Sequence, residues 1–189
     1  MKNIVVSAAF IVLCTLVTPS ASATEPLPDQ PESSWLYAVR AGVLKHDVNR
    51  LVSGTNKEPG FDFNGEIIFN HPRFSFLSGN IRPDLGASVN DQGYTSKLYT
   101  GLVWEWETES GMFVNTGSGV AVHNGRQETK EPNEISHGSR FLYRIPLEVG
   151  YSLSDHYQIS IMFDHVCNCS LGNPNEGFDD LGLRFTYRF

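Results

Sequence analysis

The sequence has no apolar run long enough for a helix to cross a bilayer. Its sustained apolar stretch, residues 4–17, covers about fourteen positions, against the ~20 that a spanning helix needs. A helical membrane protein is excluded. Basic residues are scarce as well: 14 Lys and Arg stand against 21 Asp and Glu, a net charge of −7 over 189 residues. Nucleic-acid binding rests on clustered Lys and Arg that displace counterions, so nucleic acid is excluded as a partner. Helical periodicity is missing throughout. What remains, at 40% hydrophobic residues, suits one domain with a real core.

The amino terminus reads as an export signal. Lys2 precedes the apolar stretch from Ile4 to Val17, Pro19 breaks it, and Ala21-Ser22-Ala23 offers small residues where a signal peptidase reads. Cleavage is expected before Thr24, giving a signal peptide over 1–23. A lipoprotein reading through Cys14 fails, because the preceding residue should be small and is Leu13. Residues 24–33 carry Pro26, Pro28 and Pro31 with few apolar groups and read as a flexible leader. Residues 34–189 are left for the folded domain.

From Trp35 onward apolar residues recur at every second position, the period of a strand with one face in an apolar medium. Trp35, Tyr37, Val39, Ala41 and Val43 share the first such face, and Phe61, Phe63, Ile67 and Phe69 the second. Six more follow, beginning at Ile81, Leu98, Met112, Phe141, Tyr157 and Leu181, the last running to Phe189. Eight is an even number, as bacterial outer-membrane barrels have. The opposite faces carry Arg40, Glu66, Glu105, Arg144, Glu148, Arg184 and Arg188. Charges of both signs can pair inside a barrel, whereas a soluble lipocalin-like barrel would be apolar inside and polar outside. The expected fold is therefore all-β, an eight-stranded antiparallel transmembrane β-barrel. Its lumen would be filled by side chains rather than open as a pore.

With the amino terminus in the periplasm, the links after strands one, three, five and seven would face the cell exterior. Three of the four are long, at 45–60, 124–139 and 166–177, while 108–111 and 152–155 are tight turns. The link 90–93 is short and departs from the trend. Near the outer rim the apolar faces acquire polar groups. Steps of two from Phe163 reach His165 and Cys167, and backward steps from Leu181 reach Asp179. A polar rim would account for any one of them. Together they are a nucleophile, a base and an orienting acid, the set used for ester cleavage, displayed toward lipid. The neighbouring Asp164 falls on the opposite face and is expected to be an interior charge. His46, His71, His123, His137 and His156 lie in or beside loops without metal-ligand spacing and are expected to be ordinary surface groups.

At His165-Val166-Cys167-Asn168, Asn175-Glu176-Gly177-Phe178-Asp179 and Leu181-Gly182-Leu183-Arg184-Phe185, the chain resembles the PagL-type lipid A 3-O-deacylases. The tail of that family reads His-x-Ser-Asn, then Asn-x-Gly-x-Glu, then a last strand ending in Phe. Gly101-Leu102-Val103-Trp104-Glu105-Trp106 is similar in kind to its fourth strand. The resemblance implies an outer-membrane esterase, active toward the outer leaflet, that removes the 3-linked acyl chain from lipid A of lipopolysaccharide and needs neither cofactor nor metal. It also implies His165 as general base and Asn168 and Asn175 as the family's two asparagines, the second a candidate for holding the oxyanion.

Two positions depart from the family. Its serine falls on Cys167 and its glutamate on Asp179. A thiol becomes a competent ester nucleophile once imidazole makes it thiolate, and Asp orients imidazole with a reach shorter by one methylene. The readings left open are an active enzyme with Cys167 as nucleophile, a role for Ser170, and a non-catalytic barrel serving lipid A binding, adhesion or envelope integrity. A homodimer is compatible with all three. Cys169, two residues from Cys167, would silence the nucleophile if the two were joined in a disulfide.

Overall fold

The computed structural model describes residues 35–48, 51–54, 57–70 and 74–189. The expected signal peptide and leader lie outside the described residues. So does His71. Alternating sequence becomes antiparallel strand throughout: β1 (Leu36–Lys45), β2 (Phe61–Phe69), β3 (Phe74–Phe76), β4 (Gly79–Asn90), β5 (Lys97–Glu107), β6 (Met112–His123), β7 (Phe141–Ser152), β8 (Tyr157–Cys167) and β9 (Phe178–Arg188). Apart from β2 and β3, neighbours in sequence pair along the sheet, β1 pairs with β9, and β2 pairs with β4, which closes the barrel. Eight strands form the wall. Among the described residues, closure gives each of the eight wall strands a partner on both sides, the condition for strands to sit in hydrocarbon.

The ninth strand is a short extra one. β3 pairs with the start of β4, Phe74 opposite Ile81 and Phe76 opposite Gly79, across a two-residue turn at Leu77 and Ser78. Both turn residues take left-handed backbone, with φ of 48° and 60°, as a type I′ hairpin needs. Neither is the Asn or Gly that normally announces such a turn.

The outer face is apolar. Val43, Phe63, Leu98, Ile161, Leu183 and Phe185 are all exposed. Arg184 is buried and Arg188 points the same way, into the lower lumen. Tyr37 departs from the expected register. A bulge between Leu36 and Ala38 turns its ring toward the lumen, where the Arg82 guanidinium stacks 3.6 Å from the ring centroid. One extra residue in a strand shifts the parity of what precedes it.

Ion pairs fill the lumen. Arg40 and Arg184 each reach Glu66 at 3.0 Å, Arg144 reaches Asp164 at 2.7 Å and Asp84 at 2.9 Å, and Lys97 reaches Asp164 at 2.9 Å. All of these side chains are buried, and Asp164 is the interior charge its parity implied. Removing one member of such a pair costs ~3–5 kcal/mol because its partner stays charged out of water. At the turn end a cavity of about 120 Å³ lies below this plug, lined by Tyr37, Glu105 and Arg188 among others. The links at the other end, 46–60, 124–140 and 168–177, are the long ones and 91–96 is short. That loop end carries the candidate chemistry.

Candidate active site

β8 and β9 run antiparallel with His165 directly opposite Asp179. Directly opposed residues on one face hold their Cβ atoms ~5 Å apart, which suits a short acid next to an imidazole. His165 Nδ1 lies 2.6 Å from Asp179 Oδ1. The missing methylene of Asp is therefore no obstacle to contact. Cys167, the last residue of β8 and two positions beyond His165 on the same face, sets its thiol beside the imidazole. With Nδ1 engaged by the carboxylate, Nε2 is the nitrogen left for sulfur.

The acid is fixed from behind. Asp179 Oδ2 accepts hydrogen bonds from the Val52 and Ser53 backbone N–H groups at 2.7 and 2.8 Å and from Ser53 Oγ at 3.1 Å. Val48 N–H donates to the Asp179 carbonyl at 2.7 Å. The β1–β2 loop thus folds over the outer wall and buries the acid completely, while His165 stays slightly open and Cys167 partly so. This roof was not visible in the sequence, because nothing in 46–60 marks those amides as partners of a residue more than a hundred positions away.

The asparagines separate in role. Asn168 is buried, and its Nδ2 donates to the carbonyls of His137, Gly172 and Pro174 at 2.8, 3.3 and 2.9 Å, while its Oδ1 accepts from Ser170 N–H. Its amide holds the β6–β7 loop and the β8–β9 loop together. Asn175 is exposed; its Oδ1 accepts from Asn168 N–H at 3.1 Å and its Nδ2 contacts Ser170 Oγ at 3.3 Å. Gly177 supplies the space these residues need, since a Cβ there would stand 2.5 Å from the Val166 carbonyl and 3.0 Å from the Cys167 Cβ.

Cys167 and Cys169 are both free thiols, with sulfurs 3.4 Å apart. Cys169 adopts φ of +52°, which turns its side chain back toward Cys167. Partial burial, then the Cys167 sulfur beside it, push the Cys169 thiol up to about 11. It is a protonated neighbour, not a second nucleophile, at neutral pH.

Three histidines expected at the surface are buried instead. His46, His123 and His137 close the loop end of the lumen, whereas His156 is exposed as expected. His123 and His137 stack edge to face with centroids 4.3 Å apart. Burial, with the His123 ring beside it, pushes His137 down to about 3, so it stays neutral. Long loops that fold inward reverse the usual link between loop position and exposure.

Comparison with known proteins bears on what this outer-wall cluster is. The crystal structure of the outer membrane enzyme PagL superposes with a TM-score of 0.60 at 16% identity, covering 80% of this chain and 99% of that one. Neisserial surface protein A superposes at 0.53 with 10% identity, covering 82% and 98%. Both likenesses are of fold. In sequence, the lipid A deacylase PagL of Bordetella bronchiseptica is 23% identical over 116 residues, 58% of this chain and 63% of that protein. The chain thus matches less than two thirds of that relative's length. The family model described as lipid A 3-O-deacylase (PagL) matches residues 56–188, which takes in β2 through β9 and every residue of the His165, Cys167 and Asp179 cluster. The chain belongs to the lipid A 3-O-deacylase (PagL) family.

Proposed function

We propose that this protein is an outer-membrane esterase that removes the 3-linked acyl chain of lipid A, with Cys167 as nucleophile, His165 as general base and Asp179 as the acid that orients it. The observation that carries this reading is the cross-strand pair of His165 and Asp179 at 2.6 Å on the outer wall, with Cys167 beside it. Below the pair on the same face, Phe163, Ile161, Leu181 and Leu183 offer an apolar track on which an acyl chain lies with its ester at rim height. The loop end faces the cell exterior, and the site works on the outer leaflet.

His165 Nε2 takes the thiol proton, and the thiolate attacks the ester carbonyl. The tetrahedral intermediate carries an oxyanion for which the exposed Asn175 amide is the proposed donor. Collapse breaks the bond to the sugar oxygen, which leaves with the proton returned by His165, and the acyl chain remains as a thioester on Cys167. Water, deprotonated by His165, then attacks the thioester, releasing the fatty acid and restoring the thiol. The scheme calls for water alone as co-reactant.

A second reading rests on the altered triad: a barrel of this family that binds lipid A without cleaving it. Mass spectrometry of lipid A from cells with and without the protein separates the two. Loss of one hydroxyacyl group in the expressing cells is the expected result, and identical spectra, with the barrel folded in the membrane, favour binding alone.

A further inference from the structure

Inside the barrel, on the other side of the wall from Cys167, His46 follows the end of β1, Asp62 lies in β2 and Asp180 in β9. All three are fully buried. His46 Nδ1 is 3.0 Å from Asp62 Oδ1 and 3.2 Å from Asp180 Oδ1, and one ligand atom from each lies within 4.8 Å of the others. As an ion-pair cluster this is incomplete. Asp62 Oδ2 has no hydrogen-bond partner despite its burial. His46 Nδ1, close as it is to both carboxylates, likewise makes no hydrogen bond with either.

The surroundings match what a metal-bound histidine has around it. Its other nitrogen, Nε2, lies 3.2 Å from Glu58 Oε2, and a ligating His almost always donates that second N–H to a carboxylate or carbonyl. Glu58 is itself fixed by the Thr95 and Ile135 N–H groups at 2.9 and 3.0 Å. Asn90 Nδ2 donates to Asp62 Oδ1 at 3.1 Å, and Lys97 Nζ holds the outer oxygen of Asp180 at 2.7 Å. Every candidate ligand is therefore oriented by a second group.

We propose that His46, Asp62 and Asp180 bind a small divalent cation of the zinc type, which takes the place of the Nδ1 proton and ties β1, β2 and β9 together at the loop end. Bonds of ~2.0–2.2 Å in a tetrahedron put neighbouring ligands about 3.3–3.5 Å apart, so the 3.0 and 3.2 Å separations need only a small expansion. Calcium, with its six to eight oxygen ligands at ~2.3–2.6 Å, finds too few here. The unpartnered Asp62 Oδ2 completes the set, directly or through water. Glu58, the partner of His46, lines a cavity of about 330 Å³ at the loop end together with Tyr94, Thr95 and Gly125. The ion would also bear on the outer site. Asp47 N–H donates to Asp180 Oδ1 at 3.2 Å and Val48 N–H to the Asp179 carbonyl, so the clamp anchors the loop that roofs the triad acid.

The test uses the full-length protein folded in detergent and carrying Cys14→Ser, Cys167→Ser and Cys169→Ser, so that no thiol competes for metal. After treatment with a chelator it is titrated with Zn²⁺ and separately with Co²⁺. One equivalent bound, a raised thermal midpoint and the visible absorption of four-coordinate Co²⁺ are expected, with binding lost in His46→Gln and in Asp62→Asn. No bound metal, or undiminished stoichiometry in the folded variants, overturns the proposal. Should the variants not fold, X-ray absorption of zinc on the unaltered lumen decides. One imidazole among nitrogen and oxygen ligands supports the site, and its absence overturns it.

Discussion

Reactivity at the rim turns on which of two adjacent thiols is a thiolate. Cys169 is the more exposed, yet it is held up to about 11, so at pH 8 only about one part in a thousand of it is reactive. Cys167 sits against imidazole. Iodoacetamide at pH 8 is therefore expected to modify Cys167 first, read by peptide mass spectrometry, and His165→Ala should erase that preference. Faster labelling of Cys169 would contradict the assignment. Removing His165 should be as damaging to turnover as removing Cys167, since groups that act as a unit lose nearly everything together. Asp179→Ala should be roughly one to two orders of magnitude milder, because orientation is one part of the rate. Turnover of purified, refolded variants on lipid A measures this. The three residues were legible in the sequence because parity on a strand is rigid: Phe163 outward forces His165 and Cys167 outward. The burial of His46 and His137 was not legible, since it depends on Glu58, Thr95 and the opposite wall, none of them near in sequence.

Strand elements followed the period of two closely, and the exceptions have physical causes. Tyr37 was misplaced by a bulge, which leaves no mark in residue type. β3 was overlooked because Leu77-Ser78 is not a turn pair that sequence announces. The long loops are held by contacts that composition does not signal. At Gly138, φ is +68° and a Cβ would overlap the Pro174 carbonyl. Gly138→Ala then forces left-handed backbone on a residue with a side chain, ~1–2 kcal/mol, and separates the loops that Asn168 joins. Hydrogen exchange should rise in residues 137–139 and 172–176 of that variant while strand protection is kept. Unchanged exchange in both segments would show that the loops do not rely on this contact.

The whole molecule is a wall with lipid on one side and salt bridges on the other. Leu183 and Arg184 stand for the two sides, at 68% and 4% exposure. Leu183→Arg puts a guanidinium into hydrocarbon, ~2–4 kcal/mol on a barrel exterior. Arg184→Leu leaves Glu66 and Glu148 short of a partner inside, ~3–5 kcal/mol. Both should lower folding yield, measured by heat-modifiable gel mobility. Adding Glu66→Gln should rescue part of the second and none of the first; rescue of Leu183→Arg would reverse the inside and outside of this wall. The account as a whole stands on Cys167 attacking a lipid ester from the outer face. Its most direct test is deacylation of lipid A by a Cys167→Ala variant verified as folded in the outer membrane. The wild type is expected to release one hydroxyacyl chain and the variant none, with Cys167→Ser keeping part of the activity. Wild-type turnover by Cys167→Ala would remove this cysteine from the mechanism.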